Sequence, residues 1–178
     1  MTQTLMHLRY AIAPVAVFLL MGCNTTPDPN VTVTGEDELT SLELHRELSS
    51  NDKKFEEVVY VPIYSDIYIN RLNQKALLSA TLSIRNTSLS DSLFVSTIDY
   101  YNTEGQLVKN FIKHPIGLAP MATVNYVIEK EDTSGGSGAN FIVKLNSDKD
   151  INPLIEAIMI ADNGNKSFAF SVEGYTIE

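Results

Sequence analysis

The sequence is poor in the residue types that build disulfides, metal sites and many catalytic centres. Its 178 residues include one cysteine, three histidines and no tryptophan. A single cysteine excludes an intrachain disulfide or a thiolate metal site. Without tryptophan or a cysteine pair, the hallmarks of an antibody-type domain are missing. No apolar stretch reaches the about 20 residues that a membrane-spanning helix needs. These absences exclude a disulfide-stapled scaffold and a helical membrane span.

Positive charge is also scarce. Lys and Arg number 13 against 22 Asp and Glu, which leaves a net charge of −9. Removal of a leader that contains Arg9 takes the charge to about −10, and no basic cluster offsets it. Because a negative surface repels phosphate backbones, nucleic acid is not expected as a partner.

The first part of the sequence has the layout of a lipoprotein signal peptide. An apolar run from Ala11 to Gly22 follows Arg9 and ends at Cys23, as in a secretory signal. The Leu-Met-Gly-Cys ending resembles a bacterial lipobox, which implies that residues 1–22 are a cleaved signal peptide and that Cys23 is lipidated. The alternative is an ordinary cleaved signal peptide with a stray thiol. Asn24, where inner-membrane proteins of enteric bacteria carry aspartate, favours an outer-membrane address facing the periplasm if the host is Gram-negative.

Residues 23–56 are predicted to form a lipidated tether, disordered or weakly helical. Leu39, Leu42 and Leu48 recur near helical spacing among charged residues, a thin stripe that is compatible with a short helix within 37–49. A flexible leader of this length would span roughly 30 Å, enough to hold a domain clear of lipid headgroups.

From residue 57 onward the sequence consists of short β-type runs separated by turn residues. This predicts an all-β fold, an antiparallel β-sandwich over residues 57–178 with immunoglobulin-like topology. Strict alternation places four apolar residues on one face of a strand: Leu78, Ala80, Leu82 and Ile84. In the run 93–101, the same alternation places one set on a common face: Leu93, Val95, Thr97, Asp99 and Tyr101. Phe94, Ser96, Ile98 and Tyr100 are then expected on the other face.

Several short motifs resemble an uncharacterised bacterial envelope family that is catalogued as a domain of unknown function. They are VPIYSDIY at 61–68, SIRNT at 83–87, DYYNTEG at 99–105, GGSGANF at 135–141 and PLIEAIMI at 153–160. The resemblance covers roughly residues 57–178. It implies a secreted or lipid-anchored β-rich domain and carries over no catalytic residue.

The glycine-rich loop around Gly135, Gly136 and Gly138 is a candidate ligand site. Such loops can present consecutive N–H groups to an anion, but phosphate-binding versions open a helix and carry a lysine or an acid at set positions. Here the loop lies between two β runs. The favoured interpretation is a hairpin in which at least one glycine has positive φ.

Tyr60, Tyr64 and Tyr68 form a second candidate group, since alternation places them on one strand face. Tyrosines on a sheet usually pack with a hydrated hydroxyl, and that interpretation is favoured. An exposed row of them would suit recognition of a glycan or a protein.

No enzyme is predicted. The favoured function is a lipid-anchored envelope protein with a non-catalytic module that binds a protein, a glycan or a small ligand, without metal or cofactor. The alternative is a metal- or phosphate-assisted hydrolase that uses His114, Asp132 and the loop at 134–138. Its weakness is that His114 has no second histidine at ligand spacing and that no nucleophile elbow is present.

Overall fold

The chain folds into two antiparallel sheets and a small hairpin, in a computed structural model that describes residues 35–162, 164 and 166–177. The signal peptide at 1–22, Cys23 and the first part of the tether lie outside the described residues, so those predictions stay predictions. Within the described ranges, no helix has the length and apolar character needed to cross a membrane.

The helix and strands have the following bounds. In chain order they are α1 (Gly35–Leu42), β1 (Phe55–Pro62), β2 (Asp66–Tyr68), β3 (Lys75–Leu77), β4 (Ser79–Arg85), β5 (Leu93–Tyr101), β6 (Leu107–Asn110), β7 (Ile116–Leu118), β8 (Thr123–Ile128), β9 (Asn140–Ser147), β10 (Leu154–Asp162), β11 (Ser167–Glu173) and β12 (Tyr175–Thr176). A 3-10 turn at Gly136–Gly138 precedes β9.

The strands form a β-sandwich. The first sheet has the order β12-β1-β9-β5, and β6 and β7 share the other edge of β5. The second sheet has the order β11-β10-β4-β8, and β2 pairs with β3 separately. All of these pairings are antiparallel, which confirms the predicted all-β antiparallel fold. An immunoglobulin-like topology is not confirmed by this strand order.

One hydrophobic core fills the space between the sheets. The alternation predicted for β4 is confirmed, since all of its predicted inward residues are at most 1% exposed: Leu78, Ala80, Leu82 and Ile84. From the first sheet, Val59, Val61, Phe141, Val143 and Leu145 face them from the same core. Burial of side chains of this size, about 1.5–3 kcal/mol each, is the main force that holds the sheets together.

The alternation predicted for residues 93–101 is wrong beyond Val95, because β5 carries a bulge. The pairing of β5 with β9 shifts by one residue after Val95, which makes Ser96 an extra residue in β5. An extra residue reverses which alternate side chains face the core. Tyr100, expected on the opposite face from Val95, is therefore buried.

Part of the segment that the sequence assigned to the tether packs against the sheets. Leu39 of α1 is 2% exposed and belongs to the core, and Leu48 is 7% exposed. The Leu44 N–H donates to the Pro115 carbonyl at 2.7 Å. The packed unit therefore extends toward the N-terminus beyond residue 57, at least as far as Leu39.

Candidate ligand-binding cleft

The glycine-rich loop connects the two sheets. It follows β8 of the second sheet and leads into β9 of the first sheet. The predicted hairpin is wrong, because a hairpin requires consecutive strands that pair with each other and β8 pairs with β4 instead. The predicted positive φ is confirmed at Gly136, whose φ is +74°. The turn there is a single 3-10 turn that redirects the chain between sheets.

The loop is fixed from one side by the turn after β5. Thr103 donates to the Gly135 carbonyl through both its N–H, at 2.9 Å, and its hydroxyl, at 3.0 Å. The Gly138 N–H in turn donates to the Thr103 hydroxyl oxygen at 3.0 Å. Asn102 shapes the turn, since its side-chain oxygen accepts the Gln106 N–H at 2.8 Å. The loop thus has a defined position relative to the end of β5.

Tyr100 supports the loop from below. Its hydroxyl shares a hydrogen bond of 2.9 Å with the Ser65 hydroxyl, and the Ser65 N–H donates to the Gly136 carbonyl at 3.0 Å. Burial raises the pKa of Tyr100, against a lowering effect of the Ser65 hydrogen bond. Gly135 lies so close above the ring that a Cβ there would be 1.9 Å from the Tyr100 hydroxyl oxygen. The bulge in β5 is what brings this tyrosine under the loop.

The hairpin of β2 and β3 forms the other wall. The Lys75 Nζ lies 2.9 Å from Oδ1 and 3.0 Å from Oδ2 of Asp66, and the Ser137 hydroxyl donates to the same carboxylate. The hydrogen bond with Asp66 raises the pKa of Lys75. The Lys75 Nζ also lies 4.8 Å from the centre of the Tyr68 ring. The buried Asp66 carboxylate therefore bonds both to Ser137 of the loop and to Lys75 of the hairpin.

These elements enclose an open cavity of about 410 Å³. It is lined by Asp66, Tyr68, Lys75, Thr103, Glu104 and residues 133–138. We call this cavity the cleft. Tyr68 is 58% exposed, so its ring is accessible to a ligand. Two carboxylates and one ammonium group line the cleft, which gives it a net negative charge.

Several backbone groups of the loop are bonded within the protein. The Ser134 N–H donates to the Asp132 carboxylate at 2.9 Å, and the Gly138 N–H donates to Thr103. The carbonyls of Gly135 and Gly136 accept from the N–H groups of Thr103 and Ser65. An anion cradle needs several N–H groups directed at the ligand. The geometry therefore favours a role of the glycines in backbone packing.

Comparison with known proteins gives the family. Residues 56–177 match the family described as "Protein of unknown function (DUF3124)". The chain belongs to this family. No curated protein matches it. Among solved structures, the crystal structure of Thermotoga maritima 1070 is similar, with 15% identity and a TM-score of 0.39 over 67% of this chain and 92% of that chain.

Three of the motifs that carried the resemblance meet at the cleft of this DUF3124 chain. The segment 61–68 supplies Asp66, the segment 99–105 supplies Thr103, and the segment 135–141 supplies Ser137. Sequence reasoning named none of these side chains as site residues. The signal that could have found them was the recurrence of polar residues within the motifs, which alone does not show that the segments converge.

The three tyrosines do not share one strand face, so that prediction is wrong. Tyr60 lies in β1, Tyr64 lies after the end of β1 at Pro62, and Tyr68 is the last residue of β2. The Tyr60 ring lies 5.3 Å from that of Tyr175, and the Tyr64 ring lies 6.0 Å from that of Phe170. Only Tyr68 of the three lines the cleft.

The residues of the hydrolase alternative are not brought together. His114 is exposed and lies in the segment between β6 and β7. This segment runs beside the middle of β5. The glycine-rich loop instead contacts Thr103, which lies beyond the end of β5. At about 3.3 Å per residue, five strand residues separate these levels by roughly 16 Å. In residues 35–162, 164 and 166–177, no three His, Cys, Asp or Glu side chains cluster closely enough to hold a metal.

Proposed function

We propose that this DUF3124 chain is a lipid-anchored bacterial envelope protein whose β-sandwich binds a neutral glycan in the cleft and catalyses no reaction. The observation that carries the proposal is the exposed ring of Tyr68 at the wall of a polar cavity. Binding sites of this kind combine an aromatic surface with a few convergent polar groups. An amphipathic tyrosine ring offers both a flat apolar face and a hydroxyl to such a ligand.

The polar groups of the cleft suit a ligand that both donates and accepts hydrogen bonds. Lys75 has three N–H donors, and its Nζ lies within hydrogen-bond distance of both Asp66 oxygens, so a donor remains for a ligand. Ser137 donates its proton to Asp66, which leaves its oxygen lone pairs as acceptors. Sugar hydroxyls fit this mixture of donors and acceptors.

The charge of the cleft argues against an anionic ligand. Lys75 is matched by Asp66, and Glu104 is a second carboxylate in the lining. The chain as a whole carries a net charge of −9, which disfavours approach of phosphate or sulfate groups. A neutral polyhydroxylated molecule experiences no such repulsion.

The envelope location rests on the sequence. Cys23 at the end of a short apolar run supports cleavage and acylation there, and Asn24 supports an outer-membrane address facing the periplasm if the host is Gram-negative. Two or three acyl chains give stable anchoring. In that location the accessible glycans are those of the cell envelope.

NMR titration tests the glycan proposal. The sample is the ¹⁵N-labelled mature chain, residues 23–178, with Cys23→Ser to keep it in solution. The probes are chitotriose and maltotriose as neutral oligosaccharides, with inorganic phosphate as the anion control. We expect a saturable shift of the amides around Tyr68, Lys75 and the glycine-rich loop with at least one oligosaccharide, and none with phosphate.

Two tyrosine variants provide the matched control. Tyr68 and Tyr175 are each 58% exposed, but Tyr175 lines a separate cavity of about 330 Å³. Tyr68→Ala should weaken binding at least tenfold, whereas Tyr175→Ala should leave it unchanged. Absence of any saturable shift, or equal effects of both variants, would contradict the proposal. Stoichiometric metal in elemental analysis of the same sample would favour the hydrolase alternative.

A further inference from the structure

The outer edge of β11 is the longest free strand edge in the described part of the chain. β11 has seven residues and pairs only with β10. The Gly174 N–H donates to the Ile155 carbonyl at 2.8 Å. This bond shows which residues of β11 direct their N–H and carbonyl groups toward β10. Since hydrogen-bonded positions alternate along an antiparallel pair, Phe168, Phe170 and Val172 bond to β10. Ser167, Ala169, Ser171 and Glu173 therefore direct their N–H and carbonyl groups away from the sheet.

β11 also lacks the features that normally protect an edge. Between Ser167 and Val172 the sequence has no charge and no proline, and its pairing with β10 has no bulge. The other edges differ: β12 has two residues, β7 has three and β6 has four, while α1 packs beside β8. A regular, uncharged edge of this length is a template for pairing with another strand.

The core-facing side of β11 is only partly covered. Phe168, Phe170 and Val172 lie opposite the buried residues Ala161, Met159 and Ala157 of β10. Phe168 is nevertheless 40% exposed, and Phe170 and Val172 are half-buried. These apolar side chains of β11 are therefore partly exposed at the edge of the sandwich, where an added strand would cover them.

We propose that β11 pairs antiparallel with β11 of a second copy of this chain, so that the two second sheets become one continuous sheet. A register centred on Phe170 uses the whole strand. It places Phe170 opposite its own mate and Phe168 opposite Val172 of the partner, and about eight hydrogen bonds form between the outward groups. Aromatic and β-branched cross-strand pairs of this kind stabilise sheets.

Charge complementarity selects a second copy as the occupant. In the symmetric register Glu173 lies opposite Ser167 of the partner, beside its Lys166, so that opposite charges meet at both ends of the ladder. No like charges face each other across the pairing. A seven-residue ladder buries less surface than the about 800 Å² per partner of a standard interface. The dimer should therefore be weak and concentration-dependent.

Sedimentation equilibrium and NMR dilution test the pairing. The mature chain with Cys23→Ser is measured from about 10 µM to 1 mM, a range that brackets weak self-association. We expect a monomer–dimer equilibrium. In dilution spectra, the amides of Ser167, Ala169, Ser171 and Glu173 should shift more than those of Phe168 and Phe170, whose N–H groups already bond to β10. A monomer at every concentration would overturn the proposal, whatever other strand or peptide the edge binds.

Edge variants make the test specific. Ala169→Pro removes an outward N–H and no bond to β10, so the fold should persist while the dimer is lost. Ser171→Lys places a charge on the edge and should weaken the dimer at least tenfold. Asn125→Lys, exposed on β8 at the opposite edge of the same sheet, is the matched control and should leave the dimer intact. A dimer that survives both edge variants, or is lost equally with the control, would refute pairing through β11.

Discussion

Replacement of Gly135 by alanine tests the packing beneath the glycine-rich loop. A Cβ at this position would lie 1.9 Å from the Tyr100 hydroxyl oxygen and 2.7 Å from both the Tyr100 Cζ and the Ala139 Cβ. The φ of Gly135 is −79°, which any residue adopts. Backbone strain therefore contributes nothing, and any loss of stability reports the close approach to Tyr100.

The magnitude follows from how little Tyr100 can move. Tyr100 is 1% exposed, and its ring lies 5.4 Å from that of Phe141 and 6.3 Å from that of Phe111. Overpacking in such a core costs about 1–3 kcal/mol, and displacement of the hydroxyl from Ser65 costs about 1 kcal/mol more. Gly135→Ala should thus lower the free energy of unfolding by about 2–4 kcal/mol.

Two other glycines separate steric conflict from backbone strain. Gly105 has φ +75° and no atom within 4 Å of a Cβ, whereas Gly136 has φ +74° and would place a Cβ 2.6 Å from the Thr103 hydroxyl oxygen. Gly105→Ala should cost about 1–2 kcal/mol from the positive φ alone. Gly136→Ala should cost more than Gly105→Ala, because it adds the conflict with Thr103.

Urea unfolding followed by circular dichroism measures these differences. A double-mutant cycle with Tyr100→Phe removes the oxygen that lies 1.9 Å from the added Cβ. In that background the cost of Gly135→Ala should fall by about 1 kcal/mol or more, as expected for residues in direct contact. A cost of Gly135→Ala below that of Gly105→Ala, or no coupling with Tyr100→Phe, would refute the reasoning.

Three further predictions concern anchoring, the core and acid stability. Cys23→Ala should move the protein from the membrane fraction to the soluble fraction on cell fractionation; a variant that still pellets with membranes would have another anchor. Ser83→Ala should raise the free energy of unfolding by about 1 kcal/mol in urea titration, because among the described side chains the Ser83 hydroxyl is buried without a hydrogen-bond partner; a loss of stability would contradict this. The hydrogen bond from Lys149 is the largest cause that lowers the pKa of Asp91 from 3.8 to about 2. Since the folded pKa is the lower one, Asp91 stabilises the fold above pH 3.8 and this is lost as the pH falls toward 2; Asp91→Asn should flatten the dependence of the urea midpoint in that window.

Alternation in the sequence predicted those parts of the fold in which each strand is regular. β4 is an example, because its side chains follow a period of two without interruption and only one face is apolar. β5 is a counterexample. Its bulge depends on the pairing of β5 with β9 around Ser96, which no local pattern in residues 93–101 indicates. In addition, both alternating sets of β5 contain apolar residues.

The candidate site shows the same division between local and non-local information. Positive φ at one glycine was predictable, because a glycine-rich turn commonly requires it. The need for glycine at 135 was not, since its φ is ordinary and the constraint is the distance to Tyr100. Likewise, Pro62 was visible as a possible strand interruption, but its effect on the positions of Tyr64 and Tyr68 depends on where the chain turns after β1.

The cleft owes its position to a sequence of non-local contacts that begins with the bulge. The extra residue Ser96 turns Tyr100 toward the core, and the Tyr100 hydroxyl then bonds to Ser65, between β1 and β2. Only a residue without a side chain can cross above that hydroxyl, so Gly135 lies there. The loop that continues from Gly135 places Ser137 against Asp66, beside the exposed Tyr68. A one-residue irregularity in the middle of a strand thus positions side chains that line the cleft and lie far from it along the chain, namely Asp66, Tyr68 and Ser137.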